Sequence, residues 1–274
     1  MNPYPPIKPC RQLWVKSAMD KQGVLYVSHG SRDKEALREA EQCIKMAQKQ
    51  VQVPLQEICY LEISKPDIFE GMEKLVKRGA TRVAIVPVLL LSAGHYYKDI
   101  PKAIEDIKCQ YPFVTLTYGK PLGVQDRLID VLVDRLKEAE IPHLSKARLL
   151  LVGRGSRNPE TRRDIEKIAS MLKERSQVKT VDVCYLAVLK PSFNDVLNHL
   201  DKLENETVII LPYLWFTGLL IKSMEKKIES LNTTNKLVLC QYLGLHPNMA
   251  DALSDRVKEA ILSTPVTRSK LDFS

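Results

Sequence analysis

The chain has 274 residues, 45% of them hydrophobic and 27% charged, the balance of an ordinary globular protein with room for one large or two modest domains. No apolar run reaches the roughly 18–20 residues of a membrane span, and the longest, over residues 83–91, is broken by Pro87. The formal net charge of +8 favours anionic partners. With only 6% aromatic residues and no interleaving of basic and aromatic side chains, the stacking component of a nucleic-acid surface is missing. Neither nucleic acid nor a membrane is therefore expected as a partner.

In chain order, residues 1–22 read as an extension. Their prolines stand where an export signal would need an apolar block. Six cysteines are scattered with no C-x-x-C pair, which points to reduced thiols and a cytoplasmic protein. Short β-branched runs then alternate with amphipathic segments. Strands are expected over residues 24–27, 55–61, 82–90 and 114–118. Helices are expected over 33–51, 67–77, 102–110 and 125–140. The alternation repeats, with strands over 148–152, 181–186, 207–214 and 237–242 and helices over 159–175, 192–203, 219–231 and 248–262. It predicts an α/β protein of parallel sheets with helices on both faces.

The two halves also align residue by residue. At one offset of 125, His29-Gly-Ser-Arg32 falls on Arg154-Gly-Ser-Arg157, Lys65-Pro66 on Lys190-Pro191, and Pro87 on Pro212. After a short gap, "DRLKEA" from Asp134 meets "DRVKEA" from Asp255. This is an internal duplication of a (βα)4 unit. The expected domains span residues 23–141 and 147–262, with a linker at 142–146 and a tail at 263–274.

What the second copy lacks is informative. His29 is matched by Arg154, Glu62 by Ala187 and His95 by Leu220. The framework is kept while three titratable, metal-competent side chains are lost. His29 ends the first strand, Glu62 ends the second and His95 follows the third, so all three belong to the carboxyl edge, where open α/β sheets bind ligands. Imidazole and carboxylate suit divalent iron, cobalt or nickel. Gly30 and Ser31 are expected to open a helix whose free N–H groups favour an anion. Both persist as Gly155 and Ser156, so plain turn chemistry accounts for them equally well.

The segments "YVSHGSR", "YLEISKP" and "PVLLLSAGHYYKDIP" resemble the class II tetrapyrrole chelatases of the long, duplicated type, the sirohydrochlorin ferrochelatases and cobaltochelatases. The resemblance runs over residues 23–262, strong in the first half and degenerate in the second. It implies two chelatase-like domains facing each other across a substrate cleft, no organic cofactor, and a divalent metal as substrate. It also implies that His29 and His95 engage the metal, with Glu62 assisting in catalysis.

The macrocycle is a polycarboxylate, which suits the cationic charge. Arg32, Lys98, Arg154 and Arg157 are candidates to hold its carboxylates. Ser28, Gly30, Ser31, Ser92 and Gly94 complete the expected substrate-binding set. His143, His199 and His246 are assigned no role. The tail "STPVTRSKLDFS" carries neither a histidine-rich run nor paired cysteines, which favours iron, for siroheme, over cobalt, for cobalamin. Because two fused halves supply both walls of a cleft, a monomer is expected. A histidine phosphatase is a rival reading, although there an arginine precedes the nucleophilic histidine and here that position is Ser28. A metal or tetrapyrrole carrier is a second rival.

Overall fold

Strand register begins with inward and outward side chains in strict alternation. In β1 (Gln22–Ser28), Val24 and Tyr26 enter one core while Leu25 and Val27 enter another, all of them fully buried. A strand buried on both faces needs helices above and below it, and the computed structural model, which describes residues 20–200 and 205–267, provides them. The first half continues α1 (Lys34–Gln48), β2 (Leu55–Tyr60), α2 (Ile68–Lys77), β3 (Arg82–Pro87), a π-turn at His95–Asp99, α3 (Ile100–Gln110), β4 (Thr115–Tyr118) and α4 (Asp126–Glu138). After a 3-10 turn, Leu144–Lys146, the second half gives β5 (Arg148–Gly153), α5 (Pro159–Arg175), β6 (Thr180–Tyr185), α6 (Phe193–Leu200), β7 (Thr207–Tyr213), α7 (Leu219–Glu229), β8 (Lys236–Leu239) and α8 (Pro247–Leu262).

Each half holds one parallel four-stranded sheet, ordered β2-β1-β3-β4 and β6-β5-β7-β8. The α/β fold and the duplication expected from the sequence are thus both present. The N-terminal extension falls, over residues 1–19, outside the described residues, as do residues 268–274 of the tail.

Two strands end earlier than the apolar pattern suggests. Beyond Pro87, the carbonyls of Leu89 and Leu90 accept from Leu122 and Gly123 rather than from a neighbouring strand. Beyond Leu239, Leu243 and Gly244 donate to Leu214 and Trp215. In both places the chain has left the ladder, and its apolar residues pack under a loop.

Layering follows from which helix covers which sheet. The outer face of the first sheet packs on α2 and α3, and that of the second on α6 and α7. The inner faces share one continuous core with α1, α4, α5 and α8 between them. Within that shared layer the last helix of each half crosses over. Helix α8 packs on β1, β3 and β4, and α4 packs on β7 and α5. Arg82 Nη2 donates to the Ile261 and Ser263 carbonyls at the end of α8, at 3.3 and 3.0 Å. Arg175 of α5 pairs with Asp130 of α4 at 2.8 Å and with Asp126. Leu253 and Val257 of α8 are fully buried, each worth about 1.5–3 kcal/mol of apolar burial.

Both repeats build the loop beyond their first strand alike. Gly30 has φ +90° and Gly155 φ +85°, and a Cβ on either would drive into the carbonyl oxygen of Glu62 or Ala187. The glycines let the loops after β1 and β2, and after β5 and β6, lie against each other. Gly155→Ala, in the half that lacks His29 and His95, is therefore expected to lower stability by about 1–3 kcal/mol or more. A urea melt would show this as a lower midpoint at unchanged slope.

Candidate functional site

The site begins where β1 runs out. Ser28 is its last, buried residue, and His29 follows, half-buried, aimed at the loop beyond β3. That loop does not enter α3 directly. It forms a single π-turn, His95–Asp99, of the kind often found at functional positions. Tyr118 Oη donates to the Tyr96 carbonyl at 2.9 Å and stacks on the Tyr96 ring at 5.1 Å, fixing the turn to the sheet.

The turn brings His95 Nε2 to 3.1 Å from His29 Nε2, with the rings edge to face at 4.7 Å. The opposite nitrogens decide the chemistry. His95 Nδ1 lies 2.6 Å from Asp99 Oδ2, and His29 Nδ1 lies 3.3 Å from the Gly30 carbonyl oxygen. Carboxylate and carbonyl oxygens only accept, so each Nδ1 must carry the proton. Each neutral ring then presents a lone pair at Nε2. Two lone pairs facing each other at this distance repel unless a cation, a proton or a metal ion, lies between or beside them.

Burial, the neighbouring His95 and the Arg154 guanidinium together hold the His29 pKa below its ordinary 6.5, while Gly30 and Glu62 oppose them weakly. His29 is therefore kept neutral and available. Glu62 stands at the same edge; its N–H donates to the His29 carbonyl at 3.1 Å and its side chain is exposed. Among the described residues no cluster of three or more His, Cys, Asp or Glu groups forms a metal cage. The imidazole pair is thus an open, two-nitrogen site.

Across the cleft the second half mirrors the first. Asn158 Nδ2 and Thr161 Oγ1 each donate to the Ser92 carbonyl at 3.4 Å, and Tyr97 Oη bonds Glu160. In the mirrored place, Thr217 N donates to Glu39 Oε2 at 2.9 Å and Lys222 Nζ meets Asp33 Oδ2 at 2.5 Å. The carboxyl edges of both sheets therefore meet, and Arg154 lies close enough to act on His29 electrostatically.

The remaining predicted residues sort by environment. Helix α1 opens at Lys34, not at Gly30 or Ser31, because Asp33 is its cap and accepts from Glu35 and Ala36. Ser31 Oγ accepts from Asp33 N, and Ser31 N donates to Ser64 Oγ. Ser156 repeats that turn with Asn158. Gly94 is exposed just before the π-turn. Arg32, Lys98, Arg154 and Arg157 are exposed at the two carboxyl edges, and among the described residues no carboxylate pairs with them. His143, His199 and His246 stand apart. His246 caps α8 through Asn248 N, and His199 bonds the Asp195 carbonyl. Asp99 was not singled out from the sequence, although its four-residue spacing from His95 is visible there.

Facing parallel sheets of this order, one with an imidazole pair at its edge and the other with the pair's degenerate copy, define a class II tetrapyrrole chelatase in its long, two-repeat form. The CbiX family model matches residues 23–139 and again 148–260, and the chain belongs to that family. It is 42% identical over 241 residues to a sirohydrochlorin ferrochelatase of Priestia megaterium, covering 88% of this chain and 91% of the relative. It is 34% identical over 247 residues to a sirohydrochlorin cobaltochelatase of the same organism, covering 88% and 80%. The structure of SirB from Bacillus subtilis with Fe3+ superposes with a TM-score of 0.82 at 39% identity, covering 88% of this chain and 96% of that one.

Two expectations follow from the pair. Asp99→Ala frees the His95 ring to rotate and change tautomer, and should weaken Co2+ binding about 10–100-fold, read by calorimetry. Because the His29 pKa is lowered, its lone pair persists as pH falls below 6.5. An NMR titration of the His29 ring should therefore show it protonating below pH 6.5, with its own share of the Co2+ affinity lost there.

Proposed function

We propose that the protein is a sirohydrochlorin ferrochelatase, a lyase-class enzyme that inserts ferrous iron into sirohydrochlorin to make siroheme. The observation that carries the reading is the pair of Nε2 lone pairs meeting at 3.1 Å with both Nδ1 positions tied to acceptors. The relatives named above support the choice of macrocycle. Identity to the ferrochelatase exceeds that to the cobaltochelatase, at 42% against 34%, and supports iron.

The reaction exchanges two pyrrole N–H protons for one divalent ion. His29 and His95 hold the incoming ion through Nε2. An open two-nitrogen site suits transfer, because a closed cage would retain the metal. As the ion moves to the macrocycle nitrogens, the vacated Nε2 atoms are placed to take up the displaced protons. Glu62, beside His29, balances the added charge and passes protons to solvent. Arg154, with Arg32, Lys98 and Arg157, holds the acetate and propionate groups of the macrocycle through two-pronged or single ion pairs. The main chain of Ser28, Gly30, Ser31, Ser92 and Gly94 shapes the edge over which the ring lies. Both cleft walls come from one chain, so a monomer suffices. No helix among the described residues is long and apolar enough to cross a membrane.

Cobalt insertion is the second reading. It is favoured by the 34% relative and by the fit of SirB from Bacillus subtilis subspecies spizizenii in complex with cobalt, at a TM-score of 0.77. An anaerobic assay with sirohydrochlorin and either Fe2+ or Co2+, followed by visible absorption, tests both. Catalysed turnover with iron faster than with cobalt is expected. Stoichiometric binding without acceleration would indicate a carrier instead. His95→Ala should abolish catalysed insertion and leave the circular dichroism spectrum unchanged.

A further inference from the structure

In the second half, the three positions equivalent to His29, Glu62 and His95 are Arg154, Ala187 and Leu220. A site that had merely decayed would be expected to refill with polar surface residues. The structure shows instead exposed apolar side chains set among cations, Arg154 and Arg157 included. Among the described residues only seven large hydrophobic side chains are exposed, and four of them, Ile63, Val188, Leu219 and Leu220, lie just beyond the carboxyl ends of β2, β6 and β7. Val188 is 64% exposed and Leu219 74%. Exposed apolar groups gathered at the carboxyl edges of the two sheets mark a binding surface rather than chance.

The backbone there is costly to maintain. Ile63 and Val188 hold φ of +67° and +64°, each at the apex of a three-residue turn closed by Ser64 N to Glu62 O at 2.6 Å or Leu189 N to Ala187 O at 2.7 Å. Positive φ is unfavourable for β-branched residues, and no burial offsets it here. Strain of this kind persists where it serves a site. Its recurrence in the half without metal-competent residues separates it from metal chemistry.

Position matters as much as character. Gly218, directly before Leu219, abuts Ala36 in the first turn of α1, three residues beyond its cap at Asp33. Arg154 acts electrostatically on His29. The start of the apolar edge at Leu219 therefore stands beside the first turn of α1, the helix that follows the His29 loop.

We infer that Val188, Leu219 and Leu220 form a wall for one face of a flat macrocycle, with Arg154 binding one of its carboxylates, so that the second half holds the ring while the first supplies the metal. Ile63 is the matching apolar contact from the first half. The inference rests on the reading above that the substrate is an anionic tetrapyrrole.

The test is the triple variant Val188→Ser, Leu219→Ser, Leu220→Ser, whose side chains are all at least partly exposed. Its affinity for metal-free sirohydrochlorin is read by fluorescence quenching, and its affinity for Co2+ by calorimetry. Loss of apolar contact should raise the macrocycle Kd about tenfold or more while Co2+ binding stays at the wild-type value. An unchanged macrocycle Kd, with wild type binding normally, overturns the wall alone. A parallel loss of Co2+ binding would mean that these residues support the metal site instead, and overturns it too. Failure of the wild-type chain to bind sirohydrochlorin at all would strike the functional reading first, and the wall with it.

Discussion

Helices α4 and α8 each cover a sheet of the opposite half, and the geometry of the cleft depends on that exchange. One interior serves both sheets, so the halves are not two bodies joined by a flexible strand of chain. Arg82 clasping the end of α8, and Arg175 clasping α4, lock the arrangement from opposite sides. With the sheets fixed, the loops beyond their strands have a defined mutual distance. Ser92 reaches α5, and Thr217 reaches α1. Arg154 is thereby held near His29, although 125 residues separate them.

Within that frame, duplication has been followed by divergence at the carboxyl edges. The loops share their construction down to the glycine under a carbonyl and the strained apex residue. Beyond the third strand the backbones differ too, with a π-turn at His95 in one half and a direct entry to α7 after Gly218 in the other; elsewhere the difference lies in the side chains. One copy offers two nitrogen lone pairs, oriented by Asp99 and by the Gly30 carbonyl. The other offers hydrocarbon and a permanent cation. A macrocycle that is apolar over its faces, charged at its rim and nitrogenous at its centre asks for these three environments at once. Two identical halves would have supplied the same one twice.

Much of this was legible in the chain. The short, continuous β-branched runs and the three-to-four-residue spacing of the helices gave the α/β class, because burial on both faces leaves its mark on the central strands. Self-alignment located the positions that had diverged, which is why His29, Glu62 and His95 could be found without any geometry. Three features left weaker traces. Helix α8 is amphipathic, but amphipathicity tells that a face is buried and not which sheet buries it. The π-turn at His95 has no composition of its own, so the spacing G-H-x-x-x-D-I-P marks the family resemblance without showing the hydrogen bond from His95 to Asp99. Strands β3 and β8 looked longer than they are, since residues such as Leu89 and Tyr242 are equally apolar whether they pair in a ladder or pack beneath a turn.

The crossing of α8 has a consequence for how the molecule comes into being. Synthesis runs from the amino end, and domains generally fold as units while it proceeds. Here the amino-terminal sheet waits for α8, more than a hundred residues downstream, before its inner surface is sealed. Until then, the strand carrying His29 has apolar side chains open to solvent on one side. Burial of the sheet beneath the imidazole pair accordingly waits for α8, and a chain truncated before residue 247 yields a first half that lacks this cover.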